Sequence, residues 1–361
     1  MKKFILSPCG TSLLTNGADD EMRSRITTYA NTTSKEEIPE VDRIVLEERL
    51  GDVKTRLMSA KNEEVQKISA ELNCILLLKT SPADHHLLLA TDTWLGEQTA
   101  GLIKAWLDEK QKGLSTSVWR QKDLQTKDIQ AFQIALAEIV KRLGEEIPSW
   151  KEKKYQVIFN LTGGFKAVQG FLQSIAHFYA DETVYIFERS SELLRIPKLP
   201  VAMNIESTVE DHFDSLRKLS LEIPMKDSGA IPKIWLLEVG SEIILNAWGE
   251  LVWEQHKKTL YGKKLWDSPT DNIVFSPAFR KTIKSLEEDR KRLVNERIDQ
   301  LTNYLRTKDN PKTLDFKPLK GKPKENSTHE LDAWSDKDAK RMFLHKEGQN
   351  WVIDELGKGL H

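Results

Sequence analysis

Tyr155-Gln-Val-Ile-Phe-Asn160 runs into Leu161-Thr-Gly-Gly164 and then into Phe165, Val168, Phe171, Leu172, Ile175 and Phe178, an apolar series at helical spacing. A β-rich run, a glycine turn and an amphipathic stretch in that order predict a strand feeding a helix. Thr183-Val-Tyr-Ile-Phe187 then supplies another strand. Upstream, Lys3–Ser7 and His86-Leu-Leu-Leu-Ala-Thr91 read as two more strands, the second followed by an amphipathic run from Leu95 to Leu107. Strands alternating with helices predict the α/β class, with a mostly parallel, doubly wound, Rossmann-like sheet covered by helices on both faces. Between the first two strands, Thr33–Ala70 carries Ile44, Leu46, Leu50, Val53 and Leu57 at helical spacing and reads as a helical insertion.

Downstream the pattern changes. Pro197, Pro200, Pro224 and Pro232 interrupt the chain, which marks a connector. Residues 1–200 are therefore expected to form one domain, 201–271 a connector, and 272–361 a small α+β domain. Within the connector, Ile234–Leu260 holds Trp235, Trp248 and Trp253 among many apolar residues and reads as one helix that packs between domains or protomers and ends at Tyr261-Gly262. The tail reads as a strand (Ile273–Phe275), two helices (Pro277–Leu286 and Glu288–Leu305), a basic loop and short strands.

With 361 residues, 39% hydrophobic and 30% charged, the chain is of ordinary globular composition, and no apolar run approaches a membrane span. Its net charge of -1 excludes a wholly basic nucleic-acid arm. The charge is unevenly placed, because 272–361 holds 19 Lys/Arg against 15 Asp/Glu. Cys9 and Cys74 are the only cysteines, too few for a disulfide framework or a Cys-rich zinc site. The apolar run Phe4-Ile5-Leu6 is too short for a signal-peptide core, so a reduced, cytoplasmic setting is expected, with no membrane partner.

In a doubly wound sheet, ligands bind beyond the carboxyl ends of the strands, where loops expose backbone N–H groups. Ser7-Pro-Cys-Gly-Thr-Ser12 and Asn160-Leu-Thr-Gly-Gly-Phe-Lys166 occupy such places. Gly163 and Gly164 let a backbone approach phosphate and Lys166 adds a positive charge, although the same glycines serve equally well as a tight turn. Thr91-Asp-Thr93 stands at a third strand end, where Asp92 reads as well as a helix N-cap.

Together, Cys9-Gly-Thr-Ser12, Ser69-Ala-Glu-Leu72, His86-Leu-Leu-Leu-Ala-Thr-Asp-Thr93 and Asn160-Leu-Thr-Gly-Gly-Phe-Lys166 resemble the CARF domain of type III CRISPR systems over roughly residues 1–200. The resemblance implies a homodimer that binds cyclic oligoadenylate, with cyclic tetra-adenylate as the expected activator. Gly10, Thr11, Ser12, Thr91, Thr93, Asn160, Thr162, Gly163, Gly164, Phe165 and Lys166 are then the expected ligand-binding residues. Some members of that family also slowly cleave the ring. None of the eight histidines follows an arginine with four to six residues between the two, the spacing of HEPN ribonucleases, and Glu152-Lys-Lys154 lacks partners for a metal nuclease.

The order Ile273-Val-Phe-Ser276, two helices, Leu319-Lys-Gly-Lys322, His329-Glu-Leu331, Arg341-Met-Phe-Leu344 and Trp351-Val-Ile-Asp354 resembles RelE-like mRNA interferases. Asp332 and Ala333 stand where a common arginine follows the Glu-Leu pair. The resemblance implies metal-free cleavage of mRNA at the ribosomal A site. Such cleavage needs a base for the 2′-hydroxyl, cations for the phosphorane and an acid for the leaving 5′-oxygen. Arg341 is the expected phosphate holder; Lys320, Lys322 and Lys358 hold the backbone or share that role. His329 or His361 is the expected acid or base, although His361 stands last, where fraying is the ordinary expectation. His345 and Lys346 read as turn residues, and Arg290-Lys-Arg292 as a solvated helix face. Two other readings remain: a CARF-controlled regulator that binds nucleic acid without cutting it, and a ring nuclease carrying a degenerate toxin.

Overall fold

A computed structural model describes residues 1–361 except 112, 188–191, 226, 321–325 and 360–361. The chain divides into two units, Met1–Ala202 and Met203–His361. The first unit runs β1 (Lys3–Pro8), α1 (Ser12–Thr15), α2 (Asp20–Thr28), α3 (Glu40–Ser59), α4 (Asn62–Ile68), α5 (Ala70–Leu77), β2 (His85–Ala90), α6 (Trp94–Lys110), β3 (Ser115–Arg120), α7 (Ile129–Glu152), β4 (Gln156–Asn160), α8 (Lys166–Tyr179), β5 (Glu182–Tyr185) and β6 (Leu194–Pro197).

Its sheet has the order β3-β2-β1-β4-β5-β6, and every neighbouring pair is parallel except β5 with β6. Phe4, Ile5 and Leu6, Leu87 to Leu89, and Val157 to Phe159 are all at most 2% exposed. Continuous burial of this kind belongs to parallel strands covered on both faces, each large side chain contributing ~1.5–3 kcal/mol. Chain order reverses between β1 and β4, so their carboxyl ends open the crevice that such sheets use for ligands. The helical insertion is α3 and α4, whose Leu46, Val53, Leu57, Val65 and Ile68 pack with Leu13, Leu14 and Ile103. The strand expected over Thr183–Phe187 ends at Tyr185.

The second unit contains α9 (Glu206–Asp211), α10 (Phe213–Ser220), β7 (Leu236–Val239), β8 (Glu242–Leu245), α11 (Ala247–Lys263), β9 (Ile273–Phe275), α12 (Pro277–Lys284), α13 (Glu288–Thr307), β10 (Lys317–Pro318), β11 (His329–Trp334), β12 (Lys340–Glu347) and β13 (Asn350–Gly357). Its larger sheet, β10-β11-β12-β13-β9, is antiparallel except where β13 meets β9. Phe279 and Ile283 of α12 and Val294, Ile298 and Leu301 of α13 pack on Leu331, Ala333, Met342, Leu344 and Ile353 of one sheet face.

Two expectations are corrected here. Ile234–Leu260 is not one helix: β7 and β8 form an antiparallel hairpin before α11 begins, and α11 continues past Tyr261 to Lys263. Gly240 adopts a φ of 62°, which a helix does not permit, and Val239, Ile243 and Ile244 are β-branched. The second correction concerns 201–271, which is not a separate connector. Asn295 of α13 donates to the Tyr261 and Lys264 carbonyls at 2.9 Å each, and Arg217 of α10 pairs with Asp299 of α13 at 2.7 Å. Trp253 and Tyr261 are each 2% exposed, so the aromatic side of α11 is core of its own unit.

Candidate functional site

Under the crevice of the first unit lies a buried polar chain. His86 Nε2 on β2 and Ser7 Oγ on β1 are 2.9 Å apart, and Asn160 Nδ2 on β4 donates to the same hydroxyl at 2.9 Å. Asn160 also donates to the Glu71 carbonyl and accepts from the Thr162 N–H at 3.2 Å. Its amide is thus turned inward to shape the loop after β4. Burial, with a smaller contribution from His85, pushes the His86 imidazole down to about 3, so the ring is neutral.

Glu71, wholly buried on α5, is the second fixed point. Its carboxylate accepts from the Gly10 N–H at 3.1 Å, from Ser69 Oγ at 3.0 Å and from Ser12 Oγ at 3.4 Å. Burial raises its carboxyl above the usual range, and these donors pull in the opposite direction. The two glycine loops close over it. A Cβ on Gly10 would sit 3.2 Å from Gly164 Cα, and Gly164 itself has a φ of 95°. The loops after β1 and β4 therefore meet backbone to backbone, which side chains would prevent. Beyond them α8 starts at Lys166 with no side chain capping its first turn, and Lys166 is exposed. Thr11, Ser12, Thr162, Gly164 and Phe165 are partly exposed around that helix start.

Thr91 and Thr93 are not placed in this way. Both are buried, their hydroxyls are 2.9 Å apart, and Thr93 caps α6 by accepting from the Gly96 N–H at 3.1 Å. A cleft of about 570 Å³ nearby is lined by Glu36, Glu47 and Glu97, and its Arg120 is paired with Asp92 and Glu97. Those acids disfavour a polyanion. Burial raises the Cys9 thiol well above its usual range and the Cys74 thiol to about 12, so neither is poised as a thiolate.

In the second unit, Arg341 on β12 is held by three carboxylates: Glu330, Asp332 at 2.9 Å and Asp315 at 3.1 Å. Lys358 and Arg341 line one cleft of about 420 Å³ with Lys337 and Lys340. A phosphate entering there must displace an acid from Arg341. The Glu330 side chain is 3% exposed and its Oε2 has no partner among the described residues. Arg341→Ala should therefore cost about 3 kcal/mol of stability, because it leaves the buried Glu330 carboxylate with only Lys317 Nζ, 4.0 Å away, to balance it. Urea unfolding of Arg341→Ala and of Arg341→Ala with Glu330→Gln checks this, since the double variant should regain most of the loss.

His329 lies in an aromatic box, stacked on Phe316 at 5.3 Å and edge-on to Trp351 at 4.8 Å, and burial lowers its imidazole. Lys320 is exposed, whereas Lys322 and His361 lie outside the described residues. His345 is not in a turn. It belongs to β12, and its Nδ1 lies 2.9 Å from both Asp354 oxygens. Arg290 bonds Asp336 at 2.6 Å and Arg292 bonds Glu296 at 2.8 Å, so that helix face is already paired. Among the described residues no group of three His, Cys, Asp or Glu is placed to hold a metal, and no helix is long and apolar enough to cross a membrane.

No curated protein matches the chain. Among solved structures it is similar to Enterococcus italicus Csm6 bound to cyclic hexa-2′-fluoro-hexa-dAMP, at 11% identity and a TM-score of 0.29, covering 85% of this chain and 63% of that one. The chain thus spans less than two thirds of the Csm6 chain. It is also similar to Can2 from Sulfobacillus thermosulfidooxidans in complex with cyclic tetra-adenylate, at 9% identity and a TM-score of 0.22, covering 97% of this chain and 78% of that one. Residues 66–199, which include Glu71, β2 to β6 and the loop Asn160–Lys166, match the family described as CRISPR-associated protein (Cas_APE2256).

Proposed function

We propose that the chain is an ancillary effector of type III CRISPR systems: a homodimer whose first units bind a cyclic oligoadenylate, and whose second units are thereby activated to cleave mRNA on the ribosome without a metal. Cyclic tetra-adenylate is the first ring to test. The observation that carries the ligand reading is the closed backbone contact of Gly10 and Gly164 between the central strands, beside an uncapped helix start. Polyanionic rings suit exposed N–H groups and the positive end of a helix dipole. A ring with two-fold symmetry also suits a two-fold dimer, in which each protomer offers the same loops. Slow ring cleavage by the first unit belongs to the same reading.

Support for the ribonuclease part comes from element order: β9, two helices, then β11 bearing Glu330-Leu331, β12 opening with Lys340-Arg341, and β13 leading to Lys358. The competing regulator reading draws on free basic helices, and Arg290 and Arg292 are already paired. Activation requires the ring to favour one dimer arrangement over another, since a ligand shifts an equilibrium only through differential affinity.

The deciding experiment titrates the full chain with cyclic tetra-adenylate by calorimetry. The same ring is then added to a translation reaction whose mRNA ends are mapped by primer extension. Ring-dependent cuts at A-site codons, absent on naked mRNA, are expected. Binding without cuts would remove the interferase and keep the sensor. Lys166→Ala should raise the half-activating ring concentration about tenfold, roughly the effect of one charged contact to phosphate; an unchanged activation curve would remove Lys166 from the site.

A further inference from the structure

β13 carries one extra residue against β12. Phe343 pairs with Glu355 and Leu344 with Ile353, which leaves Asp354 as the bulged position. Bulges redirect side chains, and here the result is an ordered relay. Ser327, 1% exposed, donates its hydroxyl to Asp354 Oδ2 at 2.5 Å, and both Asp354 oxygens lie 2.9 Å from His345 Nδ1. The Asp354 backbone is itself fixed, because Ser276 Oγ donates to its carbonyl at 2.5 Å. A carboxylate on Nδ1 selects the tautomer that leaves a lone pair on Nε2. No described residue bonds Nε2, and the His345 side chain is 24% exposed.

Arg341 lies four residues before His345 along β12, roughly 13 Å at ~3.3 Å per residue. One phosphate cannot sit against both ends of that distance.

We propose that His345, oriented by Asp354, is the proton acceptor of the RNA-cleavage site, with the Arg341–Lys358 cleft holding another phosphate of the same strand. This rests on the ribonuclease reading above. His345 Nε2 takes the proton of the 2′-hydroxyl as the 2′-oxygen bonds to phosphorus. The P–O5′ bond breaks, and the 5′-oxygen takes a proton from water. The imidazolium then releases its proton to solvent. The products are a 2′,3′-cyclic phosphate and a 5′-hydroxyl. Asp354 is a positioning residue and Ser327 supports it.

The test uses the full chain, cyclic tetra-adenylate and translating ribosomes. His345→Asn keeps a donor for Asp354 but has no base; it should lower turnover at least about 100-fold, the usual share of a general base. His345→Ala should do the same and regain activity when free imidazole is added, which a purely structural histidine would not allow. Asp354→Asn should lower kcat with KM little changed. Wild-type cleavage with His345→Asn undiminished, or no rescue of His345→Ala, would overturn this assignment alone. A wild-type protein that cuts nothing would instead overturn the ribonuclease reading and this assignment with it.

Discussion

Gly163→Ala should abolish ring binding and strip the first unit of several kcal/mol of stability, although it adds a single methyl group. The added Cβ would lie 2.6 Å from Glu71 Cγ and closer still to its carboxylate. Glu71 cannot withdraw, because its oxygens are held by Gly10, Ser12 and Ser69 and the residue is wholly buried. Overpacking of a tight core costs about 1–3 kcal/mol, and any escape that breaks the carboxylate's bonds adds the cost of an unsatisfied buried acceptor, about 1–3 kcal/mol more. The loss also reaches the two glycine loops proposed to hold the ring, since Glu71 tethers Gly10 and Gly10 packs on Gly164. Gly170→Ala is the control: Gly170 lies within α8, and a Cβ there meets nothing within 4 Å. It should be neutral or stabilising by up to about 1 kcal/mol through helix propensity. Calorimetric ring titration and thermal unfolding of both variants check the pair; equal behaviour would mean that the Glu71 contact does not govern the loops.

Strands buried on both faces were legible in the sequence. β1, β2 and β4 are unbroken apolar runs, and the Gly163-Gly164 turn announces the strand-to-helix passage. β3 was not legible because only Val118 and Trp119 of Ser115–Arg120 are apolar, and an edge strand can be largely polar. The hairpin β7–β8 was hidden inside a tryptophan-rich stretch whose periodicity does not separate a short hairpin from a buried helix. Asn160, Thr91 and Thr93 sit at the expected strand ends, yet their polar atoms serve the fold, and sequence does not reveal which way a side chain turns. Glu71 did leave a signal, as an acid within the apolar helix Ala70–Leu77. His345 left none, because its partner comes nine residues later on the next strand and their meeting depends on a bulge.

Acid should weaken the first unit through His86, and a variant lacking that imidazole should become the more stable protein at low pH. The ring is neutral in the fold because burial pushes it down to about 3, against about 6.5 in the unfolded chain. Between those values the unfolded chain binds the extra proton. His86 therefore makes its full contribution above about pH 6.5 and loses it progressively as pH falls toward 3, in all on the order of 5 kcal/mol. Glu71 has the opposite sign: its carboxyl is raised, so the folded state is favoured below the usual carboxylate range and penalised as pH rises through it. Comparison with His86→Leu isolates the histidine. At pH 7 the variant should be less stable by about 1 kcal/mol, the bond to Ser7 being lost. Near pH 4 the order should reverse, so the two stability curves cross between pH 6.5 and 4. Urea titrations of the full chain, read by hydrogen exchange in peptides from β1, β2 and β4, measure this; parallel curves would show that His86 keeps its proton balance on folding. Ring affinity of the folded protein should hold through most of that window and fall only as pH nears 3, where His86 itself takes a proton. A charged His86 cannot be desolvated beneath the sheet without disturbing Ser7, and Ser7 carries Asn160, whose Oδ1 fixes the Thr162 N–H at the start of the glycine loop.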